Sequence, residues 1–485
     1  MHREPHSGEL DTVRLCSLSE DVLVEWDAAG RSLHVVTRWG EFALGVIDDH
    51  VRDSLRRMSF GPVSLENAVA GIEAEGTARA AGRGGGRTNL MEVLDVLRGS
   101  VVHSLALDDG YRPLLSVTPV VAAPVFDLPR VAATQPVRLS RFAVLRPCGG
   151  ELALESPRSD FRVELHQPLA ARLATALAVP RSPAELAADS GAPQQVVADV
   201  VAYLLASGAV LLGDKRAARE EDHDPALRHW SHHELHFHSR SRSRQRDAAC
   251  DTDLADHTDV ADPVVKPPPD GPRFPLYRPD LSARDHSLTE LLEADHACPE
   301  FSSRTLTGEH VGELLFRSAR VRTAGPQHLP PGMSHEASQR PYFNIACLYE
   351  LELYVSVDRC TTLPRGIYHY DPSQHELTLV NSDEGALAEL LDTAKLAAAN
   401  VRRPPALITV TTRMARLSPM LGGAAYATTL THLGALQQTL YLVARSMGLS
   451  VHLVPTDAGD RVARLLRLEW PGEVSIGECV IDGPS

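Results

Sequence analysis

The apolar and polar positions at the start of the chain alternate with a period of two. Val22-Leu23-Val24-Glu25-Trp26 and Ser32-Leu33-His34-Val35-Val36 flank a turn from Asp27 to Gly30, a spacing that predicts a β-hairpin. The period then lengthens, predicting a helix over roughly Asp48 to Met58. Residues 79–87 carry Gly84-Gly85-Gly86 without the strand and Gly-Lys-Ser/Thr context of a phosphate loop, so they read as a linker. Farther on, Leu152-Ala153-Leu154-Glu155 and Phe161-Arg162-Val163-Glu164-Leu165 predict two short strands around a Ser-Pro-Arg turn. Helical periods follow near 169–179, 183–189 and 194–207. Ser182 and Glu185 are spaced as a capping box, and Gly208 sits where a helix should stop. Ala209-Val210-Leu211-Leu212 returns as a strand. Three helices and a β wing form a winged-helix pattern.

Residues 215–285 change character. Charges, His and Ser dominate, ending in Lys266-Pro267-Pro268-Pro269-Asp270-Gly271-Pro272, which reads as a linker with a polyproline segment. From about 286 an α+β pattern resumes. The expected organisation is an N-terminal α+β module over 1–110, a winged-helix-like peptide-binding module over 111–214, a linker over 215–285 and an α+β domain over 286–485. At 485 residues the chain exceeds one core.

Composition narrows the function classes. The net charge of −15 disfavours nucleic-acid binding, where phosphate contacts dominate affinity. The winged-helix stretch itself carries Arg172 and Arg181 against Glu185, Asp189, Asp199 and Asp214. A strand-edge peptide site suits it better than a DNA reader's basic face. No apolar run approaches the roughly 20 residues of a membrane span, and the polar N-terminus lacks a secretory h-region, so a cytoplasmic protein is expected. The seven dispersed cysteines read as free thiols. The histidines at 229, 232, 233, 236 and 238 have helical metal-ligand spacing, but they adjoin the linker and no metal is expected.

Leu139-Ser140-Arg141-Phe142, Phe237-His238-Ser239-Arg240, Leu314-Leu315-Phe316-Arg317-Ser318-Ala319-Arg320, Arg340-Pro341-Tyr342, Glu350-Leu351-Glu352-Leu353-Tyr354 and Gly366-Ile367-Tyr368-His369-Tyr370-Asp371 follow one another along the chain. In that order these segments resemble the SagB/ThcOx azoline dehydrogenases, nitroreductase-like flavoproteins of azole-forming peptide biosynthesis. Gly434 to Leu442, Met447-Gly448-Leu449 and Ile476-Gly477-Glu478 keep the family order and spacing. The resemblance implies a C-terminal nitroreductase-like domain, FMN at a subunit interface, a homo- or heterodimer, and a precursor peptide and cyclodehydratase as partners.

The chemical residues of that family are largely replaced. Its phosphate-binding Arg-Arg-Ser-x-Arg motif falls where Asp285 to Ser303 hold five acids and no Arg or Lys. Its Pro-Ser-Gly-Gly-type turn, which gives the flavin ring backbone clearance, becomes Phe343-Asn344-Ile345-Ala346. Its Lys-Tyr pair, the base for azoline oxidation, becomes Met420 and Leu421, with no Lys or Tyr from 414 to 425. The residual cofactor candidates are Arg340, Asn344, Gln438 and Arg320. Arg304, Arg317 and Arg322 are further cations that could replace the phosphate clamp. Gln437 or Gln438 reads as a structural amide, and Arg413 and Arg416 as surface or interface ion pairs. Two function classes follow. One is a catalytically degenerate binding or scaffolding subunit, paired with an active paralogue or cyclodehydratase. The other is an FMN-dependent dehydrogenase working through substituted contacts.

Overall fold

Two units divide the chain, Met1–Arg240 and Ser241–Ser485. The computed structural model describes residues 11–26, 32–64, 90–108, 112–213, 221, 224, 226–227, 229–242, 262–282, 286–293, 301, 306–329, 333–454 and 460–483. The Gly84–Gly86 loop, Arg304, part of the linker and much of the acidic 285–303 stretch lie outside them.

The hairpin expected at the start pairs Leu23–Trp26 with Ser32–Thr37, Val24 opposite Val35. Leu33 and Val35 point into a core with Val51, Leu55 and Met58 of the Asp49–Phe60 helix. A seven-stranded antiparallel sheet runs Val63–Ser64, Thr12–Leu18, Val101–Leu107, Pro113–Pro119, Phe161–Leu165, Glu151–Glu155, Val144–Cys148. It draws strands from both sides of residues 110–111, where a module boundary is expected. The three helices form at Pro168–Ala176, Pro183–Ser190 and Gln194–Ala206, and the Ser182–Glu185 capping box closes as expected. Val196, Val197, Val200, Val201 and Leu204 line one face of the last helix and bury against Leu115, Val117 and Val163 of the sheet. Gly208 takes a left-handed φ of 78°, and the strand Val210–Leu212 pairs with Val137–Leu139. Two of the 229–238 histidines face backbone carbonyls: His232 Nδ1 lies 3.2 Å from the Arg141 oxygen and His236 Nε2 2.6 Å from that of Phe142. Among the described residues no group of three or more His, Cys, Asp or Glu could hold a metal. Nor, among them, is any helix long and apolar enough to cross a membrane. Cys16, Cys347, Cys360 and Cys479 are free thiols. Cys148 is disulfide-bonded, correcting the expectation that every thiol is free.

In the second unit a seven-stranded sheet runs Arg273–Pro275, Glu376–Asn381, Gly366–Asp371, Leu351–Val357, Ala406–Arg413, Glu473–Asp482, Ser450–Val454. Every residue of the central strands Leu351–Val357 and Ala406–Arg413 is buried. Both faces are covered, so the strands lose the alternation expected of a one-sided sheet. One face packs the helices Gly308–Ala319 and Ala425–Ser446 through Leu314, Leu315, Leu436 and Leu440. The other packs Glu384–Ala397 through Leu387, Leu390 and Leu391. Full burial of each such leucine contributes about 1.5–3 kcal/mol. Gly312 lets the Gly308–Ala319 helix lie against the chain at Tyr277: a Cβ there would come within 2.9 Å of the Tyr277 backbone nitrogen and oxygen.

Polar side chains interrupt the second face in one connected ladder. Arg413 Nε donates to Glu352 Oε1 over 3.0 Å, and His369 Nε2 lies 3.2 Å from Glu352 Oε2. Nearby, Lys266 donates to Tyr354 Oη over 2.8 Å and pairs with Glu473, which accepts from Thr411 Oγ1 over 2.5 Å. Burial pushes the Glu352 carboxyl up, but the His369 bond and the Arg413 charge outweigh it and leave it below its ordinary value of 4.5. A carboxyl depressed by folding stabilises fully above its unfolded pKa and loses that contribution as pH falls through the folded one.

Two outcomes follow for stability. Gly312→Ala should lower the melting midpoint in spite of the roughly 1 kcal/mol helix preference for Ala, because the backbone at Tyr277 must move. Glu352→Gln should cost about 3–5 kcal/mol at neutral pH by removing the buried carboxylate partner of Arg413 and leaving it the more exposed Asp262 at 3.5 Å. In urea titrations across pH, the gap between wild type and Glu352→Gln should be flat above 4.5 and shrink below it. A gap independent of pH would mean the ion pair does not carry the difference.

Candidate functional site

The segment from Arg340 to Glu350 is where the flavin-facing turn is expected, and its backbone is under strain. Ala346, Cys347 and Tyr349 adopt φ of 54°, 54° and 46°. That left-handed region suits glycine and costs other residues roughly 1–2 kcal/mol each. The turn therefore keeps a glycine-type path without the glycines, and several buried hydrogen bonds hold it there. Tyr349 N–H donates to Asn344 Oδ1 over 3.0 Å, and Tyr349 Oη donates to the Tyr342 carbonyl over 3.0 Å. Arg416 Nη2 donates to the Leu348 carbonyl over 2.7 Å and to that of Glu336 over 2.9 Å, while Nη1 reaches the Asp262 carbonyl over 2.7 Å. Arg416 is fully buried. Desolvation, with the charge of Arg413 adding to it, brings its pKa down to about 10. The expectation of a surface or interface ion pair fails for it: its partners are carbonyl oxygens, and its role is to pin the turn. Arg413 is likewise buried, paired with Glu352 at 2.9 Å and with Asp262 at 3.5 Å.

Behind the turn, Asn344, Glu350 and His432 close on one another. Asn344 Nδ2 donates to Glu350 Oε2 over 2.9 Å, and the Ile345 N–H donates to His432 Nε2 over 2.9 Å. A backbone amide can only donate, so Nε2 carries no proton and His432 holds its hydrogen on Nδ1. That N–H points at Glu350 Oε1, 2.8 Å away. Glu350 and His432 are wholly shielded from solvent. Sequence reasoning missed this trio. The available signal was a pair of glutamates, 350 and 352, entering an otherwise apolar strand, and a histidine on the apolar face of a long helix.

The remaining candidates separate. Arg340 is buried, donating to the Val264 carbonyl over 3.0 Å and stacking its guanidinium 5.1 Å from the Tyr349 ring centre. Gln438 is exposed on the Ala425–Ser446 helix, which starts earlier than its sequence pattern suggests because Gly422–Ala424 already turn as a 3-10 segment. Gln437 is the structural amide, hydrogen-bonded to Cys479. Met420 and Leu421 pack, half-buried, on Leu348, Leu417 and Ala425, beneath the strained turn. Arg317 pairs with Glu313 at 3.2 Å. Arg320 lies at the end of the Gly308–Ala319 helix, stacked on Phe316 at 4.5 Å, and faces a separate cavity shared with Arg322. Of the cofactor candidates, the Asn344 amide and the Arg340 guanidinium are thus committed to protein partners, as is the neighbouring Ile345 N–H. As arranged, these residues do not fit a flavin grip. Around them Phe343, Ile345, Tyr426 and Leu430 expose apolar surface.

Residues 137–247 match the family model of the cyanobactin oxidase ThcOx. A protein of Methanocaldococcus jannaschii named as a nitroreductase is 21% identical over 202 residues, covering 41% of this chain and 94% of its own length. A nitroreductase structure from Anabaena variabilis aligns at 23% identity and a TM-score of 0.31 over 36% of this chain, which spans only 34% of that longer protein. The Escherichia coli microcin synthetase McbBCD complex, solved with truncated pro-MccB17 bound, aligns at 17% identity and a TM-score of 0.33, covering 43% of this chain and 77% of the matched one. On its motifs, the family match over residues 137–247 and the likeness to the archaeal protein, the chain is similar to the SagB/ThcOx-type, nitroreductase-like proteins.

Proposed function

We propose that the chain serves the maturation of azole-bearing ribosomal peptides as a binding or scaffolding subunit, paired with an active oxidase or a cyclodehydratase. The observation that carries this reading is the closed Asn344–Glu350–His432 trio with the Ile345 N–H. It consumes the polar groups of the turn that would have to meet a flavin ring, while Met420 and Leu421 leave no titrating pair to take a substrate proton. A family member would draw on FMN for the oxidation itself; here the residues shape an apolar, strained surface instead. The exposed Phe343, Ile345, Tyr426 and Leu430 suit a homo- or heterodimer contact, because such residues bury well at interfaces.

Peptide binding falls to the first unit. Read as a winged helix, its three helices and the Val210–Leu212 strand sit beside a sheet whose Phe161–Leu165 strand is already paired with Pro113–Pro119. A precursor peptide adding as a further strand would meet the sheet's edge strand Val144–Cys148.

Purified full-length protein, incubated with excess FMN and desalted, should show no flavin absorbance and should leave an azoline peptide unoxidised. In the same preparation an active oxidase or cyclodehydratase should be retained on the immobilised protein. Flavin that survives desalting, with turnover of the azoline, would replace this reading with that of a working dehydrogenase.

A further inference from the structure

Away from the strained turn, a cavity of about 270 Å³ opens between the end of the Gly308–Ala319 helix and the turn after Gly366–Asp371. Arg278, Arg320 and Arg322 face it, Phe316 and His375 form apolar walls, and none of its lining residues is acidic. Each cation is placed by the fold. Arg320 Nη1 donates to the Phe316 carbonyl over 2.8 Å while its guanidinium lies over that ring. Arg278 Nη2 is anchored on the Gln374 carbonyl over 2.7 Å. Arg322 is fixed through its backbone, whose N–H donates to the Gln339 carbonyl over 2.7 Å.

The other polar groups at the rim are already satisfied. Ser373 Oγ donates to Asp371 Oδ1 over 2.7 Å. His375 bonds at both nitrogens, Nε2 to the Tyr277 carbonyl at 2.8 Å and Nδ1 to Tyr370 Oη at 2.9 Å. Burial, then the charges of Arg278 and Arg320, outweigh the Tyr277 bond and hold its pKa below the ordinary value, so it contributes no charge at neutral pH. The arginines have no carboxylate partner among the described residues. In a protein of net charge −15, three guanidiniums converge on one opening and repel one another: burial first, then Arg322, lowers the pKa of Arg320. An anion is what relieves that repulsion. Guanidinium forks match the oxygens of a phosphate, and three positive charges suit a dianion better than a single carboxylate.

We propose that Arg278, Arg320 and Arg322 form a binding site for a phosphate group, supplied either as free phosphate or by a larger phosphomonoester. The site is distinct from the strained turn at Asn344 and does not rest on the scaffold reading. Flavin colour sinks that reading, whereas a phosphate response independent of these arginines sinks this one.

The test uses the full chain and inorganic phosphate at constant ionic strength, with chloride as the reference and the thermal midpoint as readout. Phosphate should raise the midpoint of the wild type. Arg278→Ser and Arg322→Ser, both at exposed positions, should fold as the wild type does and each weaken the apparent affinity by roughly tenfold or more, the scale of a lost charge-assisted hydrogen bond. The source is read from two matched pairs, FMN with riboflavin and AMP with adenosine. Tighter binding of either monoester, lost in its dephosphorylated parent, points to a larger phosphomonoester; binding no tighter than phosphate points to the free ion. No phosphate response beyond chloride, the same response in the double variant, or a response to citrate but not to phosphate would each overturn the site.

Discussion

The second unit depends on one buried guanidinium. Arg416 sits in the interior without a carboxylate of its own, and its donors reach the backbone oxygens of Asp262, Glu336 and Leu348. Three separate stretches of chain thereby meet at one side chain. A charge taken out of water is tolerated only when its hydrogen bonds are replaced, so this arrangement is demanding, and it explains how a turn with three residues in the left-handed region persists. The strain is local, and the restraint comes from elements far apart in sequence.

The same logic recurs on the sheet. Glu352, His369 and Arg413 sit within almost wholly buried strands and pair with one another there. Lys266, one of only three lysines in the chain, reaches the neighbouring Tyr354 and Glu473. Buried polar groups of this kind fix register, because slipping a strand by one residue would break every bond in the ladder and turn its side chains to the other face.

Much of the secondary structure was legible because it rests on local rules. The Ser182–Glu185 box, the left-handed Gly208 and the Val24/Val35 pairing each follow from residues close in sequence. What was not legible depends on distance. Nothing near Arg416 says that Asp262 and Glu336 will be its partners, so a surface pair was the natural expectation. Nothing in Asn344 alone reveals that Glu350 will claim its amide, or that His432, 88 residues away in sequence, will close against them. Arg278 stood in a stretch read as linker, and only the fold brings it beside Arg320 and Arg322. The joining of the first sheet across residues 110–111 escaped notice for a similar reason, since the strand pairing Phe161–Leu165 with Pro113–Pro119 is set by tertiary contact, whereas composition marks only local change.

The closed trio behind the turn makes the site epistatic. Placing a lysine at Met420 or a tyrosine at Leu421 would add a titrating group beneath a turn whose amides are already taken. Replacing Asn344 alone would leave Glu350 shielded from water and one donor short, at a cost in folding. A path from this arrangement to one that grips a flavin therefore runs through intermediates less stable than either end. In engineering such a change, the order of substitutions matters as much as their identity: His432 and Glu350 would have to be rebuilt together before the turn could be reopened.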